Sequence, residues 1–104
     1  MIRLGYIIEG GLKGKLYEID PKILTRHACI FGVTGSGKST TLKILSYELN
    51  KLNIPCLILD RTGEFGKHLP KYIENSYVYI PNIKRRKRKI YTWNINVRIF
   101  NIFR

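Results

Sequence analysis

Gly32-Val33-Thr34-Gly35-Ser36-Gly37-Lys38-Ser39 is a complete G-x-x-x-x-G-K-S phosphate-binding loop, and its reading decides the fold. The residues ahead of it, His27-Ala28-Cys29-Ile30-Phe31, are apolar enough for a buried strand, and residues 40–52 after it have a helical pattern. Strand, loop and helix in that order are the setting the motif needs. A triphosphate is best held by backbone N–H groups. Glycines at 32, 35 and 37 let the chain, with Thr34 and Ser36 between them, wrap closely around a β-phosphate in dihedrals that other residues find strained. The start of the following helix adds unpaired N–H groups and the positive end of its dipole. Lys38 supplies a mobile charge for the β- and γ-phosphates, the Ser39 hydroxyl is placed to ligate a bridging Mg²⁺, and Thr40 faces the α-phosphate side. A Gly-rich turn that merely joined strand to helix would require neither Lys-Ser after the last glycine nor Gly at the first position.

The chain has 104 residues, room for one small domain, and its 44% of apolar residues is enough for a core. P-loop folds need several parallel strands with helices covering both faces, so the expected fold is α/β, a trimmed or partial P-loop sheet. The net charge of +12 points to a polyanionic partner. Half of that excess sits in one run, Lys84-Arg85-Arg86-Lys87-Arg88-Lys89. Such a block repels itself and stays solvated. It reads as an exposed loop, as a contact for nucleic-acid phosphates, or as a localisation signal. No aromatic residue interrupts it, while Tyr91 and Trp93 directly after it suit stacking or a strand core equally.

Along the chain, residues 3–9 and 15–20 read as two strands around Gly10, Gly11 and Gly14, a hairpin that Pro21 ends, with residues 22–26 leading to the loop strand. In the helix after the loop, Leu42, Ile44, Leu45, Leu49 and Leu52 form one stripe expected to be buried, and Asn53 and Pro55 close it. Residues 56–59 form a continuous apolar strand ending at Asp60, as expected of a parallel strand covered on both faces. A third strand is expected over 76–80. Trp93, Ile95, Val97 and Ile99 alternate as in a one-faced strand, although Ile99, Ile102 and Phe103 also fit the start of a helix. These readings divide the chain into a hairpin at 1–24, an incomplete core at 25–83 and a basic C-terminal segment at 84–104.

Cys29 and Cys56 each lie in an apolar run and read as buried small hydrophobes, without metal-ligand spacing, which suits a reducing cytoplasmic setting. Neither end carries a signal sequence, and no apolar run approaches the roughly 18 residues of a membrane span. His27 reads as a packing or hydrogen-bonding residue rather than a catalyst, and His68 as exposed. Asp60 follows an apolar strand, the right context for a Mg²⁺-associated carboxylate, and Glu64 is placed to polarise a water. The other reading of Asp60-Arg61-Thr62-Gly63 is a turn whose carboxylate accepts backbone N–H bonds.

The span from Thr25 to Phe65 carries Arg26-His27 before the strand, Thr34-Gly35-Ser36-Gly37-Lys38-Ser39, and Asp60-Arg61-Thr62-Gly63-Glu64-Phe65 after a second strand. It resembles the HerA/FtsK superfamily of hexameric DNA-pumping ATPases, and most closely the HerA helicase branch. The first twenty residues are similar to the end of the small β-barrel that precedes the ATPase core in that branch, so the resemblance covers about the first eighty residues. It implies a RecA-like core that binds ATP and Mg²⁺ between subunits of a homo-hexameric ring, translocates double-stranded DNA, and serves DNA-end processing or packaging. It also implies that Gly32, Gly35, Gly37, Lys38, Ser39 and Thr40 form the nucleotide loop, and that Asp60 and Glu64 form an acidic motif near it. The family's Walker B carboxylate, sensor and trans-acting arginine are expected beyond the matched span. Two classes of function therefore stand: a module of an ATP-driven DNA translocase or helicase, and a truncated, non-catalytic module that binds nucleotide or nucleic acid without turnover.

Overall fold

A computed structural model describes residues 1–79 and 97–101. The chain is α/β and forms two compact units, Met1–Leu49 and Asn50–Arg104.

The first unit opens with an antiparallel hairpin of β1 (Ile2–Glu9) and β2 (Leu12–Ile19). The expected pairing forms because Gly10 and Gly11 have φ of 57° and 75°, the two left-handed residues that a tight hairpin loop needs. The ladder slips in register between Arg3 and Gly5 and again between Tyr6 and Ile8, which increases its twist. A 3₁₀ turn, Pro21–Thr25, follows, started by Asp20, whose carboxylate accepts the Lys22 N–H at 2.9 Å. Next come the loop and the helix α1 (Lys38–Lys51). Asn53, at φ 56°, ends it. Its N–H returns to the Asn50 carbonyl at 3.0 Å.

Two expectations for this unit are corrected. Residues 27–31 are irregular rather than a strand, Cys29 is exposed, and Phe31 is 89% exposed. A strand exists only through its ladder, and among the described residues no strand pairs with this segment. The α1 stripe also differs: Leu42, Ile44 and Leu52 are exposed, Leu45 and Leu49 are half-buried, and the helix's buried residues are Ser46 and Glu48. Both polar side chains find partners. Ser46 donates to the Leu42 carbonyl at 2.9 Å, and the Glu48 carboxylate accepts the Arg3 N–H of β1 at 3.2 Å. Apolar residues on a helix are buried only where another element covers them.

The second unit is a three-stranded parallel sheet. Its strands are β3 (Cys56–Asp60), β4 (Ser76–Tyr79) and β5 (Val97–Asn101), in the order β3-β5-β4. Val97 pairs with Cys56 on one side and with Ser76 on the other. Between β3 and β4, which lie on either side of β5, run α2 (Glu64–His68) and a 3₁₀ turn (Leu69–Lys71), the kind of crossover that joins parallel strands. One sheet face is covered: Leu69, Ile73 and Ile99 form the core, with Cys56, Ile58, Phe65 and Val78 packed against it. The opposite face of β3 is open, with Leu57 64% and Leu59 67% exposed, so this strand is covered on one face rather than two. Tyr77 and Tyr79 meet edge to face at 4.2 Å. Residues 97–101 are strand, which settles the strand-or-helix alternative there. The expectations for residues 80, 84–89, 91, 93, 95, 102 and 103 lie outside the described residues.

Candidate functional site

The loop turns on its glycines. Gly35 and Gly37 have φ of 81° and 99°, conformations in which an L side chain is strained. Gly32 stands at a close approach instead. A Cβ there would fall 2.2 Å from Ser36 Oγ and 3.2 Å from Lys38 Cγ, so the chain folds back on itself at that point. The Ser36 N–H donates to the Val33 carbonyl at 3.1 Å, tightening the bend that contains exposed Thr34. Lys38 Nζ donates to the Gly32 carbonyl, which closes the loop from its first residue to the first residue of α1.

The Gly37 carbonyl accepts the first intrahelical bond, from the Thr41 N–H at 2.9 Å, and also the Thr41 hydroxyl at 3.0 Å. Thr41 was not among the expected site residues. Its position four residues after Gly37 is the signal, since a helical Thr hydroxyl reaches back to that carbonyl. The N–H groups of the first helical turn therefore have no partner within the helix and open toward the loop. Ser39 is half-buried there and Thr40 exposed. Residues 32–37 thus bend into the first turn of α1, with the Lys38 side chain fastened to the Gly32 carbonyl.

Asp60 and Glu64 belong to the second unit. Asp60 is 2% exposed, and both carboxylate oxygens are engaged. One accepts the Thr62 N–H at 3.2 Å and the Thr62 hydroxyl at 3.3 Å, and the other accepts the Phe65 N–H at 3.1 Å. The Thr62 hydroxyl in turn accepts the Glu64 N–H at 3.4 Å. The Asp60 and Thr62 oxygens thereby supply acceptors for two N–H groups, of Phe65 and Glu64, that the start of α2 leaves unpaired. The turn reading of this segment is therefore present in full. Glu64 is half-buried, His68 is exposed at the end of α2, and His27 is exposed ahead of the loop. Among the described residues no group of three or more His, Cys, Asp or Glu is arranged to hold a metal, and no helix is long and apolar enough to cross a membrane. Residues 84–89, the expected nucleic-acid contact, lie outside the described residues.

The family described as the helicase HerA central domain matches residues 2–102. The chain belongs to the HerA central-domain family. The match runs past the first eighty residues on which the resemblance rested. A HerA double-strand break repair helicase from Saccharolobus solfataricus is 41% identical over 63 residues, 59% of this chain and 13% of that protein. The corresponding helicase of Sulfurisphaera tokodaii is 36% identical over 74 residues, 71% of this chain and 14% of that protein. A probable helicase of Methanocaldococcus jannaschii, MJ1565, is 46% identical over 44 residues, 42% of this chain and 9% of that protein. The chain thus spans between 9% and 14% of the length of these relatives. No solved structure matches.

Proposed function

We propose that this chain is the ATP-binding P-loop module of a HerA-type DNA translocase or helicase acting in DNA processing. The observation that carries the reading is the loop at the head of α1. Its glycines lie where φ or close approach demands them, and its lysine caps the mouth. Such a cradle fits a polyphosphate: backbone N–H groups and the helix dipole supply the positive potential, and no side chain has to be neutralised.

In this reading Gly32, Thr34, Gly35, Ser36, Gly37, Lys38, Ser39 and Thr40 hold ATP. Lys38 leaves the Gly32 carbonyl to meet the β- and γ-phosphates, and Ser39 ligates Mg²⁺. A metal held there would supply positive charge to the phosphates. Asp60 would be a further ligand to that metal and Glu64 the group that would direct an attacking water, in a RecA-like core. DNA is the polyanion that the +12 charge attracts, with residues 84–89 among its contacts, and the working assembly is a hexameric ring in the cytoplasm.

One observation favours the second reading, a module that binds nucleotide or nucleic acid without turnover. Both oxygens of Asp60 are already engaged by Thr62 and Phe65, so ligating a metal would compete with the turn. The test of the primary reading is titration with a fluorescent ATP analogue, with and without Mg²⁺, using wild type and Ser39→Ala. Saturable binding is expected, strengthened by Mg²⁺ in the wild type and much less so in Ser39→Ala. Mg²⁺ dependence that is the same in both proteins would remove Ser39 from the site.

A further inference from the structure

We propose that Thr41 is a positioning residue of the nucleotide loop: its hydroxyl holds the Gly37–Lys38 peptide plane so that the Lys38 N–H faces the polyphosphate. The inference rests on the ATP-binding reading above and adds to it a residue outside the loop motif.

The Gly37 carbonyl receives two bonds from one residue, the Thr41 N–H at 2.9 Å and the Thr41 hydroxyl at 3.0 Å. A carbonyl oxygen has two lone pairs, and Thr41 fills both. The peptide that follows Gly37 is trans, so its C=O and its N–H, which belongs to Lys38, point in opposite directions. With the carbonyl drawn along the helix toward Thr41, the Lys38 N–H is turned out of the helix start, on the side of the loop.

Gly37 is the place where that direction needs holding. It has φ of 99° and no Cβ, so sterics leave the plane of the next peptide loosely defined. The Ser36 N–H is already spent on the Val33 carbonyl inside the bend. An amide that is to receive an anion must instead be held outward before the anion arrives. Turning the Gly37–Lys38 plane away breaks two bonds to Thr41, where alanine at position 41 would leave only one to break. A helical threonine or serine commonly bonds back four residues, and Ser46 does so to the Leu42 carbonyl at 2.9 Å. That acceptor lies within α1, where the helical ladder already fixes the peptide planes. The Thr41 bond differs in ending on the left-handed glycine that joins the loop to the helix.

The experiment is titration of the full chain with Mg²⁺–ATP, comparing wild type with Thr41→Val, Thr41→Ala, Thr41→Ser and Ser46→Ala. Val matches Thr in shape and nearly in helix propensity, and Ala exceeds it, so both delete the hydroxyl without weakening the helix. Each is expected to weaken binding about fivefold, the loss of one hydrogen bond. Thr41→Ser is expected to restore the affinity, and Ser46→Ala to leave it unchanged. Wild-type affinity in Thr41→Val and Thr41→Ala would overturn the role of Thr41 and leave the ATP reading standing. Equal losses in Thr41→Ala and Ser46→Ala would also overturn it, by tracing the effect to the helix as a whole. Thr41→Ser as weak as Thr41→Ala would assign the effect to the methyl group instead. No binding by the wild type would overturn both readings.

Discussion

Cys56 and Asp60 sit at the two ends of one five-residue strand, and burial acts on them differently. Asp60 is enclosed but receives three hydrogen bonds from Thr62 and Phe65, which offset its desolvation and fix the turn into α2. Cys56 receives nothing comparable. Its Sγ lies 3.7 Å from the Ile54 carbonyl, to which it donates, and burial pushes its thiol pKa up from the ordinary value of 9.0. A raised pKa leaves less thiolate at any given pH, and the thiolate is the reactive form. Cys29 is exposed. Labelling with a thiol-reactive dye at about pH 8 should therefore be biphasic, with the fast phase removed by Cys29→Ser and the slow phase by Cys56→Ser. Raising the pH should speed the slow phase more than the fast one. A single rate for both thiols would contradict the burial of Cys56.

At the scale of elements, the strand at the centre of the parallel sheet carries the most weight. Ile99 of β5 is fully buried among Leu69 and Ile73, with β3 on one side and β4 on the other. Ile99→Ala should cost about 2–5 kcal/mol, the transfer term plus the cavity left behind. Leu57→Ala on the open face should change stability by only about 0.5 kcal/mol or less. Urea denaturation of the two variants checks the contrast, and equal shifts would mean that the covered and open faces are misassigned. Elements with local chemistry were legible in the sequence: the hairpin from Gly10-Gly11, the end of α1 from Asn53, and β3 from its run of apolar residues. What could not be read was pairing. Residues 27–31 have strand composition, but composition does not supply a neighbouring strand, and without one the segment stays irregular. The α1 stripe failed for the same reason, because burial there follows the contact between Glu48 and Arg3 rather than the spacing of leucines.

For the whole molecule, family membership, charge and loop agree. The HerA central-domain match spans residues 2–102, the net charge is +12, and Gly35 and Gly37 of the loop have left-handed backbone dihedrals that favour glycine. The bend of residues 32–37 was legible, because it is specified by consecutive residues and needs no distant partner. Its internal fastening was not: the Lys38 bond to the Gly32 carbonyl and the Thr41 cap on Gly37 depend on how the loop closes. The measurement that bears most directly on this account is a calorimetric titration of the chain with Mg²⁺–ATP beside Lys38→Ala. The account predicts saturable binding by the wild type and none detectable in the variant. Equal binding by both proteins, or none by either, would contradict it.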